Sequence, residues 1–384
     1  MVEVGDKLVG YATDDEVRKR GASGGLVTAV LAAALEKGLV ESVVVLKHVD
    51  EYEAVPIITD DVEEVLASTG SMHSVPAMLA KYAVDRKVAM PGKPCDIRAV
   101  IEQSKRNMID LDSTYLIGLN CGGTMPPVLT KKMLIEMYDI DPEDVVGEDI
   151  EKGKLIYRTK DGNEKAISIE ELEEAGFGRR NNCQYCQLKI PVNSDLACGN
   201  WGVIGDLAGS ATFCEVMNEK GKKLIENAVE AGRIEVAPAS DKAIAIREKV
   251  NGVMVKMGET TQEKVFTQMP DEERLPYYRE ALADCIDCGG CKLACPVCSC
   301  GDDAKCTLFH NLGDNYKMSM FHLVRLLHLS DSCIGCGQCT DVCPVDIPIT
   351  RIQMSFSIPV QTRLNYKPGM NADEKPPFFE VMIQ

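Results

Sequence analysis

The stretch CIDCGGCKLACP at 285–296 returns as CIGCGQCTDVCP at 333–344, and nothing else in the chain restricts its fold as tightly. Each copy reads C-x2-C-x2-C-x3-C-P. In this run three closely spaced thiolates grip one face of a [4Fe-4S] cube and the fourth comes from elsewhere. Two copies predict two cubes. Cys285, Cys288 and Cys291 belong to one and Cys333, Cys336 and Cys339 to the other, with Cys343 and Cys295 exchanged between them. The glycines of CGGC and CGQC permit tight turns and let backbone N–H groups face sulfur. A zinc ribbon uses paired C-x2-C and has no need of the third thiol or the trailing proline. SMFHLVRLLHLS at 319–330 carries apolar residues at helical spacing, which predicts a helix before the second copy, with His322 and His328 as packing residues. DEERLPYYREALAD at 271–284 reads as a polar connector helix before the first.

The chain holds 17 cysteines in 384 residues, and most lie in this C-terminal part. No signal peptide opens the sequence and the longest apolar stretch, LVTAVLAAAL, is about half of the roughly 20 residues a bilayer span needs. A cytoplasmic chain without a membrane segment is therefore expected, and in a reducing compartment its thiols serve as ligands rather than disulfides. The formal charge of -17 argues against nucleic acid as a partner, because phosphate backbones call for a basic surface. The surplus thiols Cys298, Cys300 and Cys306 read as plain cysteines, as do Cys198 and Cys214.

Upstream, helical and strand signals alternate, which predicts an α/β (α+β) domain over 1–270 before the cysteine-rich domain of 271–384. GGLVTAVLAAALEKG, VEEVLAS and KKLIENAVEAG read as helices, and SVVVLK, KVAMPG, STYLIGLN and RIEVAPA as strands. VLTKKMLIEMYDI reads as an amphipathic helix, and the DG of KLIYRTKDGNEKAISI as the tip of a hairpin. Four loop cysteines lie far apart here: Cys95 in MPGKPCDIRA, Cys121 in IGLNCGGT, and Cys183 and Cys186 in NNCQYCQLKIP. Four thiolates suffice for a third cube, but a bare C-x2-C occurs in redox-active and zinc sites too. GASGG before a helix offers unhindered N–H groups to a dinucleotide pyrophosphate; taken alone, an ordinary N-cap by Ser23 explains it better.

Five ordered segments carry a resemblance: GASGGLVTAVL at 21–31, STGSMHSVP at 68–76, GKPCD at 92–96, IGLNCGG at 117–123, and CQYC at 183–186 followed by Asp195 and Gly199. In this order they resemble the flavoprotein β-subunit family of the F420-reducing hydrogenase. That resemblance implies a [4Fe-4S] cluster on Cys95, Cys121, Cys183 and Cys186 beside an FAD that exchanges hydride with coenzyme F420. It implies FAD contacts by Ser23, Gly24, Gly25 and Thr28, by Ser68, Gly70 and Ser71, and by Asn120, Gly122 and Gly123. Two positions depart from the family pattern: Met72-His73 replaces a Lys-Tyr pair, and Asp96 replaces a Gln. Arg179, Arg180 and Lys189 beside CQYC are candidates to attract the phosphate and glutamate tail of F420, with a solvated basic loop as the other reading. The helices ahead of both cysteine runs resemble the α-helical ferredoxin domains of succinate dehydrogenase iron–sulfur subunits.

The expected cofactors are thus FAD and three [4Fe-4S] clusters, with F420 as substrate. A flavin module followed by a double-cluster tail resembles the formate-linked members of the family, whose catalytic partner is a formate-oxidising α subunit with a molybdenum or tungsten pterin. Another F420-linked complex, with a hydrogenase or heterodisulfide reductase partner, is an alternative, and so is a non-flavin ferredoxin-type carrier.

Overall fold

The computed structural model describes residues 2–49, 54–68, 86–151, 153–267, 270–300 and 314–378. Eleven strands form two sheets: β1 Lys7–Ala12, β2 Ser42–His48, β3 Ala54–Thr59, β4 Val88–Gly92, β5 Thr114–Leu119, β6 Val145–Glu151, β7 Lys154–Thr159, β8 Glu164–Ser168, β9 Leu196–Gly199, β10 Thr212–Val216 and β11 Ile234–Pro238. The large sheet runs β11-β1-β10-β9-β5-β4-β2-β3. Its centre, β9-β5-β4-β2, is parallel and its flanks are antiparallel. Both faces of that centre are covered, so β2, β4 and β5 are near-continuous apolar runs. One face, through Val43, Val45, Ala89 and Ile117, packs on the helices Leu26–Glu36 and Glu219–Glu230. The other, through Val44, Val88, Met90 and Leu116, packs on the helix Pro94–Ser104 by Ile97, Val100 and Ile101. β6-β7-β8 is a small antiparallel sheet whose last two strands are the hairpin read from the DG pair.

VLTKKMLIEMYDI is a helix as expected, α-helical to Met133 and continuing as a π-helix over Leu134–Tyr138. The sequence reading misses the longest helix, Asp241–Thr267. A further helix, Asp271–Ala283, follows and leads into Cys285; the helix Asp314–His328 leads into the second run, and Ile349–Leu364 closes the domain.

The helix Pro94–Ser104 joins the two parts of the chain. Its far side meets Val297 and Ile334 through Ala99. Arg98 donates to the carbonyls of Pro368 (2.7 Å) and Ile334 (3.1 Å), and Gln103 to that of Pro296. Glu102, fully buried at its end, pairs with Lys105 and Arg106 at 2.9 Å each and accepts from Tyr366 Oη and Gly369 N. Burial works against this carboxylate, but those donors hold its pKa below the ordinary glutamate value. Among the described residues no helix is long and apolar enough to cross a membrane.

Candidate functional site

The parallel strands β2, β4, β5 and β9 all end toward one cavity of about 310 Å3. Open α/β sheets bind ligands at this position, outside the carboxyl ends of the strands. One wall is Gly21, Ala22, Ser23 and Gly25 with the first turn of the helix Leu26–Glu36; the opposite wall is Pro91, Gly92, Lys93 and Asp96 after β4, and Asn120, Gly199 and Asn200 after β5 and β9. Gly25, at φ +67°, is the N-cap of that helix and supplies no side chain to it. The helix dipole and the first-turn N–H groups of Leu26, Val27 and Thr28 therefore meet the cavity with no capping side chain in between. Ser23 is not the cap.

Of the flavin contacts expected from the sequence, Ser23, Gly25, Thr28, Ser68 and Asn120 line this cavity. Gly70 and Ser71, like Met72 and His73, lie outside the described residues. Gly24, Gly122 and Gly123 are not on its wall. A Cβ on Gly24 would strike the backbone of Ser210 and Ala211, so this glycine serves a close chain crossing; Gly123 is packed under the Arg179 side chain, and Gly122 faces Met254 and Trp201. The sequence reading misses Gly92, Lys93, Asp96, Gly199 and Asn200. Their signal was a strand ending in glycine, in KVAMPG and in LACGN. Asp96, the departure from the family's Gln, accepts from Lys93 N at 2.8 Å and pairs with Lys93 Nζ at 3.4 Å.

We expect Gly25→Val to weaken flavin retention. Its Cβ would lie 2.6 Å from Val17 O at a positive φ, so the turn has to move; backbone strain of this kind is about 1–3 kcal/mol, roughly tenfold in affinity for each ~1.4 kcal/mol. Gly38→Ala, at the same φ in open space, is the control. Equal flavin content after gel filtration in both variants sinks the placement.

Cys95 lies in the first turn of the helix Pro94–Ser104, Cys121 follows β5, Cys183 lies in the short helical turn Asn181–Gln184 and Cys186 follows it. The fold brings them together: Cys95 interacts electrostatically with Cys121 and Cys183, and Cys121 with Cys183 and Cys186. Burial pushes the Cys95 thiol well up and Cys121 up to about 11. A metal reverses that preference, because coordination deprotonates a thiol outright. Lys93, on the cavity wall, is also in electrostatic reach of Cys95 and Cys121. Burial opposes its charge, and Asp96 with the two sulfurs more than offsets that. Cavity and quartet share this wall.

The fold also brings the C-terminal cysteines together, with Cys295 in electrostatic reach of Cys291 as well as of the second run. Cys343 joins Cys285, Cys288 and Cys291 around a small apolar hollow. Cys295 interacts with Cys333, Cys336 and Cys339, whose thiols burial raises, Cys333 to about 11 and Cys339 to about 12. Among the described residues no three His, Cys, Asp or Glu side chains converge on a single ion. A cube asks for no such convergence, since each thiolate binds a different iron. The donor chemistry of all three sets, four soft thiols apiece, fits [4Fe-4S] clusters.

Tyr185 is buried within electrostatic reach of two of these sets, Cys333 and Cys339 of one and Cys183 and Cys186 of the other, and its ring packs edge-on against Phe266. Around it Arg180 and Asn182 donate to Cys336 O at 2.9 and 2.8 Å, and Arg180 pairs with Asp341. Hence Arg180 is not a free cation for a substrate tail. Nor are its neighbours: Arg179 is clamped by Glu173 at 2.5 Å, and Lys189, buried, points at Cys183 O. The basic loop is consumed by the fold. His322 is packed, as expected, on Phe321, and its Nε2 also lies 3.2 Å from Cys285 Sγ. Cys198 and Cys214 face each other across β9 and β10 at 3.5 Å, buried in the sheet core. Cys298 is half-buried and Cys300 exposed; Cys306 lies outside the described residues.

Residues 8–82 and 85–242 match the two parts of the family described as coenzyme F420 hydrogenase/dehydrogenase, beta subunit, N-term and C terminus, and residues 280–347 match the 4Fe-4S dicluster domain. The chain is 41% identical over 380 residues to the F420-dependent formate dehydrogenase subunit beta of Methanocaldococcus jannaschii, covering 96% of this chain and 98% of that one. It is 43% identical to the F420-dependent formate dehydrogenase 1 subunit beta of Methanococcus maripaludis, over 95% of each. The coenzyme F420 hydrogenase subunit beta of Methanococcus voltae is 28% identical over 60% of this chain and 83% of its own. A chain of the F420-reducing [NiFe] hydrogenase complex from Methanosarcina barkeri shares the fold, with a TM-score of 0.59 at 19% identity, over 72% of this chain and 96% of that one.

Proposed function

We propose that this chain, which belongs to the coenzyme F420 hydrogenase/dehydrogenase beta-subunit family, is the oxidoreductase subunit at which a formate dehydrogenase reduces F420. In this reading a molybdenum or tungsten pterin α subunit oxidises formate and the electrons reach FAD through three [4Fe-4S] clusters. One observation carries it: the cavity, the quartet Cys95, Cys121, Cys183 and Cys186, and the set Cys333, Cys336, Cys339 and Cys295 follow one another, joined by Lys93 and then by Tyr185. A flavin in the cavity would exchange hydride on one side and single electrons on the other, and so link a two-electron carrier to a one-electron wire.

The chain's own residues do the holding. The open helix end behind Gly25 suits a pyrophosphate. Asn120 and Asn200, with their side chains 3.4 Å apart, offer amides at the rim, and Lys93 keeps a positive charge between cavity and quartet. Arg247 supports this rim from behind: buried, it is paired with Glu215 and donates to Asn120 Oδ1 at 3.4 Å. The remaining set is Cys285, Cys288, Cys291 and Cys343, beside which Cys288, Ile286 and Leu293 are exposed. Electrons from a partner would enter there.

The test is an anaerobic preparation assayed for iron, acid-labile sulfide and flavin, then for F420 reduction with the formate-oxidising partner. About twelve irons (three clusters of four) and one FAD per chain are expected. A preparation that keeps its iron, contains no flavin and cannot reduce F420 leaves the ferredoxin-type carrier instead.

A further inference from the structure

The helix Asp314–His328 sends a charge into the C-terminal domain where neutral protein has no use for one. Arg325 is 6% exposed. Its Nη1 donates to Cys291 Sγ at 2.9 Å, its Nη2 to Cys291 O at 3.0 Å, and its Nε, also buried, has no partner. Four other buried or half-buried cations near the site have a carboxylate, Lys93 with Asp96, Arg179 with Glu173, Arg180 with Asp341 and Arg247 with Glu215, and buried Lys189 donates to the carbonyl of Cys183. Among the described residues Arg325 pairs with none. A buried charge left alone is penalised by several kcal/mol, so the site calls for an anion. Four neutral thiols supply none.

We propose that Arg325 is the countercharge of the cluster held by Cys285, Cys288, Cys291 and Cys343 and keeps that cluster's reduction potential up. This rests on the ligand assignment above. A [4Fe-4S] cluster with four thiolates is an anion in both oxidation states and gains one more negative charge on reduction. A fixed guanidinium beside it therefore favours the reduced form, and an N–H donated to sulfur acts in the same direction. Arg325 is also in electrostatic reach of Cys295 and Cys339 of the neighbouring set, but its hydrogen bond goes to Cys291, and the donor beside Cys339 Sγ is the neutral hydroxyl of Thr350 at 3.1 Å. Arg325 is thus a positioning and tuning residue, in contact with a ligand sulfur rather than with substrate.

The test compares Arg325→Gln, which keeps a hydrogen-bond donor and loses the charge, with Arg325→Lys, which keeps the charge. Both are made in the full chain, with iron content measured and each centre followed by EPR during a reductive titration. The expected result is that in the Gln variant one centre becomes harder to reduce. At fixed potential its oxidised-to-reduced ratio rises about tenfold, equivalent to ~59 mV for one electron. The Lys variant stays near the parent. Loss of that cluster in the Gln variant but not in the Lys variant supports the same role. If the two variants behave alike, whether both keep parental potentials, both shift or both lose the cluster, the charge is not what matters and the proposal is overturned. A parent chain without iron would instead overturn the ligand assignment itself.

Discussion

Cys183→Ala is expected to lower the iron content from about twelve to about eight atoms per chain and to abolish F420 reduction. The other two clusters should keep their EPR signals, and electrons from the partner should still reach them. The reasoning is positional. Cys183 is buried in electrostatic reach of Cys95, Cys121 and Tyr185. Without it the quartet has three thiolates, and the wire is cut between the C-terminal sets and the cavity. Nothing else among the described residues replaces it: Thr124 Oγ1 and Asn182 Nδ2 lie 3.8 and 3.9 Å from its sulfur, and neither is a soft ligand. Cys198→Ala is the matched control. That thiol is buried more deeply and faces Cys214 in the sheet core, so its loss should lower stability by about 0.5–3 kcal/mol and leave iron untouched. A Cys183→Ala chain that still carries twelve irons would remove this residue from the ligand set.

The contrast between Cys183 and Cys198 also marks what a sequence can tell. Spacing alone predicts the grouping of the C-terminal thiols, with Cys295 and Cys343 exchanged, because ligand geometry is local and repeats; the fold sets Cys343 beside Cys285, Cys288 and Cys291 and Cys295 within reach of both runs. Ordered motifs gave the N-terminal four. Glycine pairs misled where they stood for crowding instead of ligand approach. Gly24 and Gly25 are adjacent and both have positive φ, yet one is pressed against Ser210 and the other caps a helix at the cavity. In CGG after β5 the second glycine makes room for Arg179. Local charge misled as well: Arg179, Arg180 and Lys189 form a basic cluster in sequence, but Glu173 just upstream, the Cys183 carbonyl within the same loop and Asp341 from the C-terminal domain claim them. The helix Asp241–Thr267 has charged residues along most of its length, so periodicity was silent, although Arg247 at its start is buried against β9 and β10. The sequence repeat is symmetric, so it could not say which C-terminal set meets the N-terminal domain. Tyr185 and Arg180 do, because their contacts are to Cys333, Cys336 and Cys339.

That asymmetry yields a second large effect from a small change. Gly289 and Gly337 occupy the same place in the two cysteine runs, and both have positive φ, +69° and +86°. A Cβ on Gly289 would meet nothing within 4 Å, whereas one on Gly337 would strike the Asn182 amide and come within 2.6 Å of Arg180 Nη2. Alanine at either position incurs similar backbone strain, about 1–3 kcal/mol. At Gly337 alone it also displaces the donors to Cys336 O, hydrogen bonds worth about 1.5–3 kcal/mol when charged, or roughly tenfold to a hundredfold in the fit of the junction. Gly337→Ala should therefore keep its iron and flavin, accept electrons into the C-terminal clusters at the parental rate, and pass them on to F420 at least roughly tenfold more slowly. Gly289→Ala should reduce F420 at close to the parental rate. Stopped-flow measurement of cluster reduction and F420 reduction in the two variants separates these steps. Equal F420 rates in the two would mean that electrons do not cross at Cys336, and the order of the clusters along the chain would have to be redrawn with the Cys285 set facing the N-terminal domain.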